Sequence, residues 1–322
     1  MWHWLRSLLR RTDTPRAARD LLVLSPDETS HLFETHSGLP QVDWGMAETW
    51  ASRRATAPTE HDRYRRAIAG AWLDAVCAAL PTDHKRWRHT HIEGLAPIDN
   101  STAQRIAAFA DRAAVTIAGA MQPITDESHI EPVAIVALQA RKDYYSFIAP
   151  FYPDEGEFAT SGGVYIRERD WSWPVIAMPV ESNRHSLEQT IAHELTHHAL
   201  SGRDIPLWAE EGLTQMMEER VTGTPSLRFD FDTRDRHADH WDDDSLQRFW
   251  SGDAFHSPHE DEQELAYNLS QLIVRGLLTR QPTQFFAFAR TATRDDNGEA
   301  AAREHLGVEL AALADALDSG RA

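Results

Sequence analysis

SLEQTIAHELTHHAL, residues Ser186–Leu200, is the stretch whose reading decides the fold of the second half of this chain. Leu187, Ile191 and Leu195, with Ala192 and Ala199 beside them, recur at helical spacing and give one apolar side. Ser186 can cap the start, Glu188 falls in the first turn and Gly202 follows as a stop, so the spacing predicts a helix over 186–200. On that helix His193 and His197 stand one turn apart on a shared face. Both rings can reach a single metal ion, while Glu194 points toward a water bound to it.

Two imidazoles do not complete a catalytic zinc site, which usually has three protein ligands and leaves a fourth position for water. The missing carboxylate is offered by the next predicted helix, PLWAEEGLTQMMEER from Pro206 to Arg220, with Pro206 in its first turn. Glu211 shares a stripe with Trp208, Gly212, Gln215 and Glu218, and Glu210 is rotated from it by about 100°. Leu213, Met216 and Met217 make a second apolar side, so periodicity leaves open which of the two glutamates faces the metal.

HELTH followed by Trp208-Ala-Glu-Glu-Gly212 resembles the gluzincin metallopeptidases, in which an HExxH helix is followed by a helix carrying W-x-x-E-G. The resemblance implies that Glu211, the Glu immediately before the Gly, is the third ligand to Zn²⁺. It implies further that Glu218, with Gln215, holds the ligand geometry from behind. A Tyr near the start of a later helix commonly points at the oxyanion in this family, and Tyr267, in Glu264–Leu278, matches that position. The closing segment Ala301–Leu317 resembles the final helices of bacterial peptidase-MA-like domains. The likeness runs from about residue 129 to the end. It implies a zincin-type fold that hydrolyses a peptide or protein substrate, with Glu194 as the proton acceptor and Tyr267 as the oxyanion donor. Aminopeptidases of this group carry a G-x-M-E-N strand motif whose Glu binds the free amine. The stretch Ser161–Tyr165 lacks that Glu, so aminopeptidase activity is not expected. The alternative is a non-catalytic zinc-binding domain serving protein interaction or regulation. Retention of both Glu194 and Tyr267 argues against it, since a structural zinc site needs neither.

Outward from this region the pattern is α+β. Pro132–Leu138, Gly163–Ile166 and Trp173–Val180 read as strands, giving a small mixed sheet followed by a mainly helical part. The resemblance to gluzincin peptidases implies that one of these strands borders the cleft and pairs with the substrate backbone, and Pro174 and Pro179 are compatible with an edge position. Residues 1–128 read as a separate helical region of unknown role, with long helical patterns over Glu60–Leu80 and Ser101–Met121, the latter capped by Asn100 or Ser101. Residues 129–322 form the second domain. The polar stretch Pro81–His91, with three histidines, reads as a solvated connection without a supporting carboxylate. The carboxylate-rich Asp230–Asp244, with His237 and His240, reads as a solvated loop lacking the ordered ligand spacing of a calcium loop. His198 and His256 are taken as ordinary polar positions.

Composition bounds the rest. A chain of 322 residues can bury a large core. Its net charge of −18 disfavours nucleic acid, because phosphate backbones need clustered cations. No apolar run approaches the ~20 residues of a membrane span, and the start lacks the ~7 to 15 apolar residues of a signal peptide, so a cytoplasmic location is expected. Trp2, Trp4, Leu5, Leu8 and Leu9 beside Arg6, Arg10 and Arg11 permit membrane-surface contact, but a frayed or core-docked first helix is the preferred reading. The single cysteine, Cys77, excludes an intrachain disulfide and reads as a core residue.

Overall fold

Six consecutive apolar residues, Val133–Leu138, form a strand buried at every position, the pattern of a strand covered on both faces. This computed structural model describes residues 22–81, 83–89, 91–127, 130–152, 162–180, 184–225 and 231–313. In chain order the strands are β1 (Phe33–His36), β2 (Leu39–Val42), β3 (Lys85–Arg88), β4 (Ile92–Ala96), β5 (Val133–Leu138), β6 (Val164–Ile166) and β7 (Val175–Pro179). β1 and β2 form a hairpin turned by Ser37 and Gly38, both at positive φ. The others form a five-stranded sheet ordered β3-β4-β5-β7-β6, in which β4, β5 and β7 run parallel and the two outer strands antiparallel to their neighbours. The α+β character expected from the sequence is therefore present.

Before and within the sheet lie α1 (Pro26–Thr29), α2 (Trp44–Ser52), α3 (Pro58–Ala79), α4 (Asn100–Thr125) and α5 (Arg141–Ile148). After it come α6 (Arg184–Leu200), α7 (Leu207–Thr222), α8 (Phe231–His240), α9 (Asp243–Ser251), α10 (Glu260–Arg280), α11 (Pro282–Thr291) and α12 (Glu299–Ala301). A π turn over Ala302–Leu306 continues α12 and stops at Gly307, whose φ is 71°. No helix among the described residues is long and apolar enough to cross a membrane. The tryptophan- and arginine-rich start lies outside the described residues.

The chain divides into two compact units, but not at residue 128. Among the described residues, one unit holds those up to Ala114 together with Glu131–Glu194; the other holds Val115–Ile130 and those from Leu195 onward. A break near 128 would cut through the sheet, since β4 pairs in parallel register with β5, from Ile92 opposite Val133 to Leu95 opposite Val136. The first 128 residues are thus not a purely helical region; they supply four of the seven strands. In the sheet-containing unit, Trp44, Trp72, Leu73, Val136 and Phe147 share one apolar core. Burying each such side chain contributes roughly 1.5–3 kcal/mol before the entropy of ordering is set against it.

Several local expectations change. α4 is capped by Asp99, not by Asn100 or Ser101: its carboxylate accepts from the backbone N–H groups of Ser101 (2.9 Å) and Thr102 (3.0 Å). The Ser101 and Thr102 hydroxyls, with those amides, hold Asp99 well below the usual carboxylate range. α6 begins at Arg184, so Ser186 lies inside the helix it was expected to cap. The Pro81–His91 stretch contributes β3, and a carboxylate does reach its histidines: Asp111 of α4 lies 3.2 Å from His89 and 3.1 Å from His91. Of the Asp230–Asp244 stretch, Asp230 lies outside the described residues and the rest is no solvated loop: it forms α8 and, through Asp242, the cap of α9. Cys77 is half-buried, donates to the His84 carbonyl at 3.2 Å, and its thiol pKa is pushed up by burial.

Candidate metal centre

The HExxH helix, α6, is apolar along Leu187, Ile191 and Leu195, all buried, and that side fixes its rotation. Glu194, Thr196 and His198 are buried as well, while His193 and His197 are half-buried. His198, taken from sequence as an ordinary polar position, is buried at 3% exposure. Gly162 and Gly163, at the entry to β6, lie against this helix: a Cβ on Gly163 would stand 2.6 Å from Cγ2 of Thr190. Absence of a side chain there lets the edge strand reach α6 one turn before His193 and Glu194.

α7 has a different character. Trp208, Ala209, Glu210, Glu211, Gly212, Leu213, Thr214, Gln215 and Met217 are all buried, so the helix is enclosed over most of its circumference and lacks a simple polar face. It packs closely on α10, where a Cβ added to Gly212 would come within 2.6 Å of the Ser270 carbonyl oxygen. The Ser270 hydroxyl donates to the Trp208 carbonyl across the same contact. Trp208 is fully buried, donates its indole N–H to the Asn297 carbonyl at 3.0 Å, and packs edge-on against Trp250. The W and G of W-x-x-E-G are therefore packing residues that hold the glutamates between them.

His193, His197 and Glu211 form the one group among the described residues able to hold a metal ion, with one donor atom from each lying within 4.8 Å of the others. The two glutamates left open by periodicity have separate positions. Glu211 lies with Oε1 3.5 Å from Nε2 of His197. Glu210 takes the other side of the same ring, its Oε1 2.8 Å from Nδ1. An ionised carboxylate only accepts, so Nδ1 carries the proton and, in the neutral ring, Nε2 presents a lone pair toward Glu211. At that distance the pair is satisfied either by a proton on Nε2 or by a cation between the two atoms. Zinc bonds of ~2.0–2.2 Å at tetrahedral angles separate adjacent ligand atoms by ~3.4 Å. The nitrogen, nitrogen, oxygen donor set fits zinc.

Glu210 is the residue the sequence reading missed in this role. Burial raises its pKa, but the hydrogen bond and charge of His197, followed by Arg294, outweigh burial and hold the carboxyl below its ordinary value. Arg294 donates to Glu210 Oε2 at 2.6 Å and is itself anchored through Nε to the Ile205 carbonyl at 3.0 Å. A chain from guanidinium to carboxylate to imidazole thus orients His197. Glu218 and Gln215, assigned that task from the family resemblance, lie farther along α7; Gln215 is buried and Glu218 half-buried.

Tyr267 is on α10, half-buried, with its ring edge-on to Phe255 at 5.2 Å. A second phenol, unforeseen from sequence, belongs to Tyr152. Its pKa is pushed up to about 12, by burial first and then by the Glu194 charge, so it is protonated at neutral pH. Its hydroxyl reaches the Tyr165 carbonyl at 3.5 Å, the limit of a hydrogen bond. No motif marks Tyr152, whose position follows from the turn after α5. Compared with known proteins, the chain matches no family model and no curated sequence.

Proposed function

We propose that the chain is a zinc-dependent hydrolase of peptide bonds, of gluzincin type, with His193, His197 and Glu211 as the metal ligands. One observation carries this reading: the three donor atoms converge within 4.8 Å, while Glu210 takes Nδ1 of His197 and leaves Nε2 on the Glu211 side. Zinc held by these groups supplies a Lewis acid that polarises water and a carbonyl oxygen. Glu194, buried beside His193, accepts the proton of the attacking water and passes it to the leaving amine. A phenol donates to the oxyanion; Tyr267 matches the family position, and Tyr152, neutral and near Glu194, is its rival. Substrate lies along β6, the outer strand on the α6 side of the sheet, since β7, which ends at Pro179, is internal. The absence of a glutamate in Ser161–Tyr165 favours internal cleavage over aminopeptidase action.

Zinc content and cleavage of a peptide library, run beside Glu194→Gln, test this. The variant is expected to keep zinc and to lose hydrolysis. Tyr267→Phe is expected to lower turnover by roughly 10²-fold with zinc retained; if Tyr152→Phe has that effect instead, the phenol assignment passes to Tyr152. Stoichiometric zinc with no cleavage of any library member defeats the peptidase reading in favour of a non-catalytic zinc domain.

A further inference from the structure

Residues 293–298, TRDDNG, join α11 to α12. Asn297 and Gly298 stand at φ 57° and 84°, a left-handed pair that reverses the chain tightly. The Asp296 carboxylate holds this turn closed from inside. Its Oδ1 accepts from the Thr293 hydroxyl at 3.1 Å and from the Gly298 N–H at 3.0 Å, and its Oδ2 accepts from the Ala300 N–H at 2.8 Å, where α12 begins. The Arg294 carbonyl accepts from the Asn297 N–H at 3.1 Å, so Arg294 belongs to the same closed turn.

Three residues of the turn grip the start of α7. Arg294 donates from its guanidinium to the Ile205 carbonyl and to Glu210, and from its backbone N–H to Asp204 at 3.3 Å. The Asn297 carbonyl accepts the Trp208 indole N–H. A Cβ on Gly298 would come within 2.9 Å of Cγ of Pro206, so the turn lies flush against the cap of α7. Arg294 alone in the turn donates to Glu210, whose other oxygen bears on His197. More than half of the Arg294 side chain is open to solvent, at 54%, so packing does not hold it in one rotamer. Its direction is set by the Ile205 carbonyl and by where the turn places its backbone. Among the described residues, Asp296 bonds only within the turn and the start of α12, so an influence of Asp296 on His197 passes through Arg294.

We propose that Asp296 is a positioning residue of the metal centre: by keeping the α11–α12 turn closed it aims Arg294 at Glu210, and through Glu210 it sets the ring of His197. The inference rests on the reading of His193, His197 and Glu211 as metal ligands. The test uses the full-length chain, with zinc affinity read by competition against a chelating indicator and site geometry by the visible absorption of the cobalt-substituted protein. Asp242→Ala is the reference, because Asp242 caps a helix of the same unit, accepting from the Ser245 N–H at 2.8 Å, and its bonds stay at the start of α9 and the residues just before it. Loss of either cap lowers stability by a similar amount. Asp296→Ala is expected to weaken zinc binding about fivefold and to shift the cobalt bands, a smaller effect than at Glu210 itself. Asp242→Ala is expected to stay within about twofold of the unaltered chain, with its cobalt bands unchanged. In an Arg294→Gln background Asp296→Ala is expected to add less than about twofold, since the guanidinium it acts through is gone. If Asp296→Ala loses its helical circular dichroism, Asp296→Asn, which keeps an acceptor for one amide, takes its place with an expected loss of about threefold. Equal zinc affinity in the Asp296 and Asp242 variants, or an undiminished loss on top of Arg294→Gln, overturns the proposal. Peptide hydrolysis is scored separately. The expected affinities without any cleavage remove the peptidase reading and keep the positioning role; absence of zinc from the unaltered chain removes both.

Discussion

Among the described residues two helices each carry a pair of histidines, and one pair joins a carboxylate in a group that could hold a metal. His193 and His197 on α6 converge with Glu211, and the outer nitrogen of His197 faces a carboxylate. On α8 the Nδ1 of His237 instead accepts the indole N–H of Trp241 at 2.9 Å, and His240 lies edge-on to the same indole at 4.6 Å. His237 is pushed down from the ordinary 6.5 to about 4, by burial first and then by the charges of Arg236 and His240. The spacing of the pairs differs by a single residue. What separates them is the group behind the ring: a carboxylate holds Nδ1 as a donor and turns Nε2 toward Glu211, whereas an indole ties up a lone pair and leaves the ring a neutral core residue.

The contrast can be broken most severely at Glu211. Glu211→Ala removes one of three donors, and zinc affinity should fall by about three orders of magnitude in a competition titration. Retained full occupancy would mean that another group holds the ion. Glu210→Gln keeps the shape but can no longer impose the tautomer of His197. The expected loss is about 10- to 100-fold in zinc affinity, with a smaller loss for Arg294→Gln, and an unchanged affinity would demote Glu210 to a packing residue.

The α8 pair is tested by pH. Folding lowers the His237 pKa from 6.5 to about 4, so between those values the unfolded chain holds a proton that the folded chain lacks. That contribution to stability is complete above 6.5 and is lost as pH falls toward 4. Denaturant titrations at pH 7 and pH 5 should differ by about 2 kcal/mol from this group alone, a difference that His237→Gln should largely abolish. The smallest effect expected is on metal. His237→Gln and His240→Gln should leave zinc affinity within about twofold, and a tenfold change in either would show that α8 takes part in the site.

Much of this could be read from the sequence where apolar residues carry the signal. β5, β6 and β7 fall where the apolar runs put them, and α6 and α7 are present with His193, His197 and Glu211 brought together. β3 was not legible because three of its four residues are cationic. Only Trp87 is buried, while Arg86 and Arg88 are balanced by Glu93 on the strand opposite, 3.4 and 2.7 Å away. Such a strand has no apolar alternation to find. α8 was hidden for a similar reason, being rich in charge with one buried residue, His237. Glu210 was visible as a candidate, but its role depends on Arg294, 84 positions farther along the chain, and no local pattern announces such a partner.

Gly212 has a consequence for the site as a mechanical object. The α7–α10 contact has no clearance, since even a methyl group there would collide with backbone as well as with Val274. α7 carries Glu211 and α10 carries Tyr267, so the proposed ligand and the proposed phenol sit on two helices in close contact. Such close packing couples the position of one helix to that of the other, and errors of about 1 Å in such placements are costly to catalysis. The smallest residue in the W-x-x-E-G segment thus sets the tolerance to which the two groups are aligned.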